Sequence, residues 1–202
     1  MSRPDLPIGY HDLPSGRLVN LVTCLEMVRR PALEVPAWPS GFNLKKLDGT
    51  DTVLYRQIFR LIGEDLLWFS RLIMPEAELE KILNHPDVEV FALLKDGVAV
   101  GLLELNFRDK PDCELAFFGV APQLVGTGAG RNLMREALTR AWARPINRLW
   151  VHTCHYDHPK ALSFYIKAGF TPYKLMIEVH DDPRLSGHLP LTAAPHVPLL
   201  NR

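Results

Sequence analysis

Long apolar runs are missing from this 202-residue chain, and no stretch reaches the roughly 18 residues that a helix needs to cross a bilayer. The sequence therefore offers no membrane span. Its first residues, MSRPDLPIGYHDLPSG, have no apolar run behind Arg3, so they do not read as a secretory signal, and a cytoplasmic address is expected. Cysteine is scarce: Cys24, Cys113 and Cys154 are odd in number and widely spaced, which fits reduced thiols better than a disulfide framework. An excess of one charge is also missing. The 23 Lys and Arg residues balance 23 Asp and Glu, which excludes a polybasic footprint, so neither a nucleic-acid nor a membrane partner is expected. Internal repeats and low-complexity tracts are absent as well. What is present is a 47% hydrophobic, 23% charged chain long enough for one well-buried core, and a single domain is expected.

The N-terminal region, 1–41, holds one β-branched run, Leu18 to Met27, which reads as a strand, and then an arm broken by Pro31, Pro36 and Pro39. Phe42 to Leu47 reads as a short strand, with Asp48, Gly49 and Thr50 capping a helix over 51–62 whose apolar positions are Leu54, Ile58, Leu61 and Ile62. Leu66 to Leu72 reads as a short helical turn, and Pro75 opens a further helix to about Leu83. Val88–Leu94 and Val98–Phe107 flank Lys95-Asp96-Gly97, a strong hairpin signal. A strand over Glu114–Val120 leads through Ala121 and Pro122 to a glycine loop, then to an amphipathic helix from Arg131 that stops near Pro145. Leu149–Thr153 reads as a strand. A helix begins at Asp157 or His158 with Pro159 and closes at Gly169, and Lys174–Val179 is the last strand. The proline-dotted tail, 180–202, carries no predicted element. Strands flanking the Arg131 helix should run parallel and the hairpin antiparallel, so an α/β (α+β) fold with a mixed sheet covered by helices follows.

The loop Gly126-Thr127-Gly128-Ala129-Gly130 lies between a strand and a helix, where bare backbone approaches a ligand and unpaired N–H groups point outward. Phosphate or pyrophosphate is the natural partner, because the helix dipole and several donors act together there. The plain alternative is a glycine-rich turn that lets strand and helix pack closely. Two other phosphate sites fail on detail. A Walker loop needs Gly-Lys-Ser or Gly-Lys-Thr, whereas Gly130 is followed by Arg131 and Asn132. A dinucleotide fingerprint needs G-x-G-x-x-G early in the chain, whereas this loop reads G-x-G-x-G beyond its middle.

The run GVAPQLVGTGAGRNLM, followed by a strand and then HPKALSFYIKAGF, resembles the GCN5-related N-acetyltransferase superfamily. Gly128 and Gly130 match its loop, Ala161 and Tyr165 its next helix, and Gly169 and Phe170 the close of that helix. Val125 stands where the family has Gln or Arg, and His158 where it often has Asn. The resemblance spans about Asn43 to Val179, so a transferase domain over 42–179 is expected, with the N-terminal strand and the C-terminal tail as additions. It implies a mostly antiparallel sheet with a parallel pair splayed at the cofactor site and helices on both faces. It also implies acetyl-coenzyme A as cosubstrate, without a metal. The pyrophosphate would lie on the backbone of Val125, Gly126, Thr127, Gly128, Ala129, Gly130 and Arg131, with His158 nearby; Phe118, Gly119 and Val120 would hold the pantetheine arm and polarise the thioester carbonyl.

The implied reaction is acetyl transfer to an amine of a small molecule or a protein, with a base for the ammonium and an acid for the thiolate. Tyr165 matches the family's acid; otherwise it is a core aromatic. Glu104 and Glu114, on neighbouring strands, are candidate bases, and if brought together one would have its pKa raised. His152 and His155 are further candidates. The cluster His152, Cys154, His155, His158 has metal-ligand chemistry, but strand alternation sends His155 to the opposite face and spoils a compact set. Trp68 and Phe69 are candidates for an acceptor wall, or plain core residues. A non-catalytic acyl-CoA-binding module on the same fold is the alternative to an enzyme. A homodimer is a further expectation, completed by the N-terminal strand or the tail, with cover of the cleft as the alternative role for either.

Overall fold

The computed structural model describes residues 6–32 and 38–200, so the arm's Pro36 lies outside the described residues. Strand β1 (Arg17–Met27) and strand β2 (Phe42–Lys46) come first, followed by helices α1 (Thr52–Gly63), α2 (Ser70–Ile73) and α3 (Glu76–Leu83). Strands β3 (Val88–Lys95), β4 (Val98–Asn106) and β5 (Asp112–Val120) lead to helix α4 (Ala129–Ala141), strand β6 (Arg148–Cys154), helix α5 (Ala161–Lys167) and strand β7 (Thr171–Asp181). All seven strands form one sheet in the order β2-β3-β4-β5-β6-β1-β7. Every neighbouring pair is antiparallel except β5 and β6. Among the described residues no helix is long and apolar enough to cross a membrane.

Local chemistry explains most of these elements. Asp96 and Gly97, at φ 50° and 81°, turn the β3–β4 hairpin in the left-handed geometry that favours Asp-Gly. Asp48 and Asp51 form a reciprocal capping box at the turn before α1. The buried stripe of α1 is Tyr55, Ile58, Phe59 and Ile62, rotated from the expected one so that Leu61 faces solvent. The aromatic Tyr55 and Phe59 win the inward positions because they bury more area than leucine.

The sheet separates two cores. On one face Leu103, Leu105, Leu115, Leu149 and Val151 pack against Leu133, Met134 and Ala137 of α4 and Tyr165 of α5. On the other, Val88, Val90, Ala92 and Leu102 pack against α1 and α3. The N-terminal strand is not an appended arm. It pairs with β6 from Val22 to Met27 and with β7 along Arg17 to Glu26, so it lies inside the sheet, with Leu18, Val22 and Cys24 turned to the buried side. The tail beyond Asp181 carries no helix or strand among the described residues, yet it has a small core of its own: Leu189, Ala193, Ala194 and Val197 pack on Leu18, Leu67 and Tyr156. Buried Arg184 organises it, pairing through Nη2 with Asp182 at 2.7 Å and donating through Nη1 to the carbonyls of Ala193, Ala194 and Val197. Burial alone would raise the Asp182 carboxyl; the hydrogen bonds from Arg184 outweigh it and hold the carboxyl below its ordinary value.

Candidate functional site

The chain leaves β5 at Val120 and makes a short 3-10 turn, Pro122–Leu124, anchored by buried Leu124. Val125 N–H donates to Pro122 O at 3.1 Å and Thr127 N–H to Leu124 O at 3.2 Å, while the Thr127 hydroxyl accepts weakly from Ala129 N–H at 3.4 Å. The amides of Val125, Thr127 and Ala129, expected among the cofactor donors, are therefore committed within the turn; Ala129 itself packs into the core. The N–H groups of Gly126, Gly128, Gly130 and Arg131 have no partner among the described residues. Gly126 and Gly128 sit at φ 86° and 92°, and a Cβ on either would meet nothing within 4 Å. Gly130, already inside α4, needs no special φ, and a Cβ there would touch only Val120 Cγ2 at 4.0 Å. Close packing thus does not explain these glycines. The space stands open on the side where four donors and the positive end of a 13-residue helix converge, a cradle for an anion. Beside it runs a shallow groove with Trp38, Phe42, Lys95, Arg131 and Arg135 in its walls, so cations stand within reach of the same anion.

β5 and β6 pair only from Asp112 to Glu114 with Arg148 to Trp150, and beyond that they splay. The side of β5 facing β6 is consequently free of strand pairing from Leu115 to Val120, and alternate peptide groups there open into the gap. Phe118 covers this opening with its ring 5.7 Å from Phe164 and 6.3 Å from Tyr165. Gly119 has a packing reason: a Cβ would come within 2.6 Å of Ile62 Cγ2 on α1. Tyr165 is 7% exposed. Burial, reinforced by the charge of Asp157, holds its hydroxyl well above the ordinary tyrosine value, so the proton stays on at physiological pH.

The two carboxylates read as bases are not brought together. Glu104 stands opposite Phe117 and Glu114 opposite Asn106, so they sit two positions apart along the strand pair rather than facing each other. Glu104 is 1% exposed and committed to an ion pair with Arg71 at 2.7 Å, while also accepting the Tyr55 hydroxyl. Such a carboxylate has no open side for an amine. Glu114 lies at the closed end of the splay, accepting the Asn106 amide at 3.2 Å and facing exposed His152 at 3.9 Å. His155 accepts from Leu21 N–H through Nδ1, and exposed His158 accepts from Lys160 N–H in the turn ahead of α5. Burial pushes the Cys154 thiol up to about 11. Among the described residues no group of three or more His, Cys, Asp or Glu side chains is arranged to hold a metal ion.

Trp68 and Phe69 do reach this region. Gly63 and Gly119 leave room for the Trp68 ring, which lies edge-on to Phe117 at 5.5 Å, and Phe69 lies tilted against His180 at 5.1 Å. The carboxylate at the open end of the splay is one read from sequence only as a helix start. Asp157 accepts from Trp68 Nε1 at 3.1 Å, from the Thr153 hydroxyl at 2.7 Å and from Cys154 N–H at 3.0 Å. It joins the α1–α2 connection on one face to Tyr165 on the other. No local turn pattern marks it, because its backbone donor, Cys154, precedes it in the chain and its contact with Trp68 crosses 89 residues.

A search of curated proteins finds no sequence that matches the chain. Solved structures match its fold. A GCN5-related N-acetyltransferase from Sphaerobacter thermophilus aligns at 15% identity and TM-score 0.62 over 81% of this chain and 52% of its own. One from Kribbella flavida aligns at 18% and 0.55 over 85% and 63%. The chain thus spans between half and two thirds of the length of these relatives. An aminoglycoside acetyltransferase from an uncultured soil metagenomic sample, solved with trehalose, aligns at 22% and 0.52 over 64% of this chain and 88% of its own. The family model described as Acetyltransferase (GNAT) family matches residues 55–170, more than half of the sequence and all of the cradle, the splay and α5. This chain belongs to the GNAT acetyltransferase family.

Proposed function

We propose that the protein is an acetyl-CoA-dependent N-acetyltransferase acting on an amine of a small molecule or a protein. The observation that carries the reading is the cradle: four unpaired N–H groups at the start of α4, facing open space, fit the pyrophosphate of coenzyme A. Arg131, Arg135 and Lys95 would meet its remaining phosphate charge. Acetyl-CoA, when bound, supplies an activated acetyl group. Peptide groups of Phe118 to Val120 that open into the splay would orient the arm and its carbonyl. Tyr165 stays protonated and is the proton donor for the departing thiolate. Asp157, between Trp68 and Tyr165, is the group that attracts the ammonium and takes its proton, because Glu104 is spent on Arg71 and Glu114 lies at the closed end.

Calorimetric titration with acetyl-CoA, followed by thiol release with a panel of amines, tests the reading. The expected result is saturable binding and turnover with at least one amine. Asp157→Asn keeps an oxygen for Trp68 and should lower kcat about 100-fold or more while leaving acetyl-CoA affinity unchanged. No binding refutes the proposal, and binding without transfer to any amine would leave an acyl-CoA-binding module instead.

A further inference from the structure

The sheet ends in two unlike edges. β2, at one end, has five residues and finishes on Lys45 and Lys46, the short charged form that discourages pairing. β7, at the other, has eleven residues, and among the described residues no strand lies on its outer side. Leu175, Ile177 and Val179 alternate along one face and are half or more exposed. Leu21 of β1, directly opposite Ile177, extends the stripe and is 51% exposed. Beyond Pro172 at its start, and with Lys174 as its one cation, an edge this long is a template for another strand, provided the partner answers that charge. Placing β1 inside the sheet is what leaves β7 in that position.

The charges on β7 name the partner. A closed dimer must present the same surface to itself, residue i to j and j to i. When β7 is paired antiparallel with its own copy about Met176, Lys174 falls opposite Glu178 of the second copy and Glu178 opposite its Lys174. Leu175 meets Ile177 and Tyr173 meets Val179 in the same register. A shift of one residue either way sets Lys174 against Ile177 or Val179 instead. Lys174 has no ion-pair partner within the described residues, and Glu178 uses one oxygen on Asn20 at 3.0 Å, leaving the other.

We infer that β7 is the seam of a homodimer in which two copies of this chain join β7 to β7 antiparallel about Met176, merging two seven-stranded sheets into one. The cradle follows β5, which β6 and β1 separate from the seam at β7, so the inference does not rest on the chemistry proposed above.

Light scattering on the full chain should give twice the 22.9 kDa chain mass. Lys174→Glu, at an exposed position, should raise the dimer dissociation constant about tenfold or more, and combining it with Glu178→Lys should bring it back to within about threefold of the starting protein. Met176→Cys should form an intermolecular disulfide under mild oxidation, since directly opposed strand residues lie about 4.5–5.5 Å apart at Cα, within disulfide range. Leu175→Cys, facing Ile177 rather than itself, should not. Far-UV circular dichroism confirms that each variant folds. A monomer overturns the inference, as does a dimer that ignores Lys174→Glu and leaves Met176→Cys uncrosslinked.

Discussion

Gly130→Ala separates what the cradle does for the fold from what it does for a ligand. Gly130 sits in the first turn of α4 with ordinary helical φ, and an added methyl group meets only Val120 Cγ2 at the edge of contact, 4.0 Å. Glycine in a helix costs roughly 0.5–1 kcal/mol relative to alanine, mainly through backbone entropy in the unfolded chain. The substitution should therefore stabilise the free protein by up to about 1 kcal/mol, and a domain of this size gains ~2–4 °C in Tm per kcal/mol. If a pyrophosphate lies against Gly128 to Arg131, the same methyl occupies its space. A tenfold loss of acetyl-CoA affinity, about 1.4 kcal/mol, would then exceed the gain. Differential scanning fluorimetry should show the variant melting above the parent without ligand and below it with saturating acetyl-CoA, because ligand stabilisation follows the logarithm of [L]/Kd. Calorimetry gives the affinity directly. A lower Tm without ligand would mean that protein atoms fill the space, and an unchanged affinity would remove the pyrophosphate from it. Either result refutes the reasoning.

Two further outcomes follow from the buried groups. Glu104→Gln should destabilise the fold by about 3–5 kcal/mol in urea unfolding, because it leaves the Arg71 guanidinium without its counter-charge, and a loss below about 1 kcal/mol would show that the pair is not buried as described. Alkaline pH should weaken the protein: burial first, then the charge of Glu104 at Tyr55 and of Asp157 at Tyr165, holds both phenols above their ordinary value of about 10. A raised folded-state pKa contributes stability that is complete below the unfolded value and lost as pH rises above it, so stability should fall beyond about pH 10. Tyr165→Phe should make that fall shallower in a series of melts against pH, and an unchanged slope would remove Tyr165 from the effect.

The sequence by itself determined what short-range rules govern. Asp96-Gly97 had to turn left-handed between two apolar runs, Asp48 had to cap, and a glycine loop before an amphipathic helix had to expose N–H groups, since each depends on neighbours a few residues away. Elements from β2 to β7 were legible for that reason, and so was the cradle. The family motif added the acid role proposed for Tyr165, which no spacing indicates. Tertiary structure decided the rest. Whether β1 is an arm or an inner strand turns on pairing with residues far along the chain, from Met27 with Leu149 to Arg17 with Asp181, and nothing in its own alternation distinguishes the two. Glu104 lies between Leu103 and Leu105 and Asp157 between Tyr156 and His158, and neither setting says which carboxylate is closed off. One is closed off by Arg71 and Tyr55 and the other stands open at the splay, because α1 and α2 cross the sheet above one and end beside the other. Long-range packing assigns such partners, and it set which peptide N–H groups the turn consumes and which it leaves for a ligand.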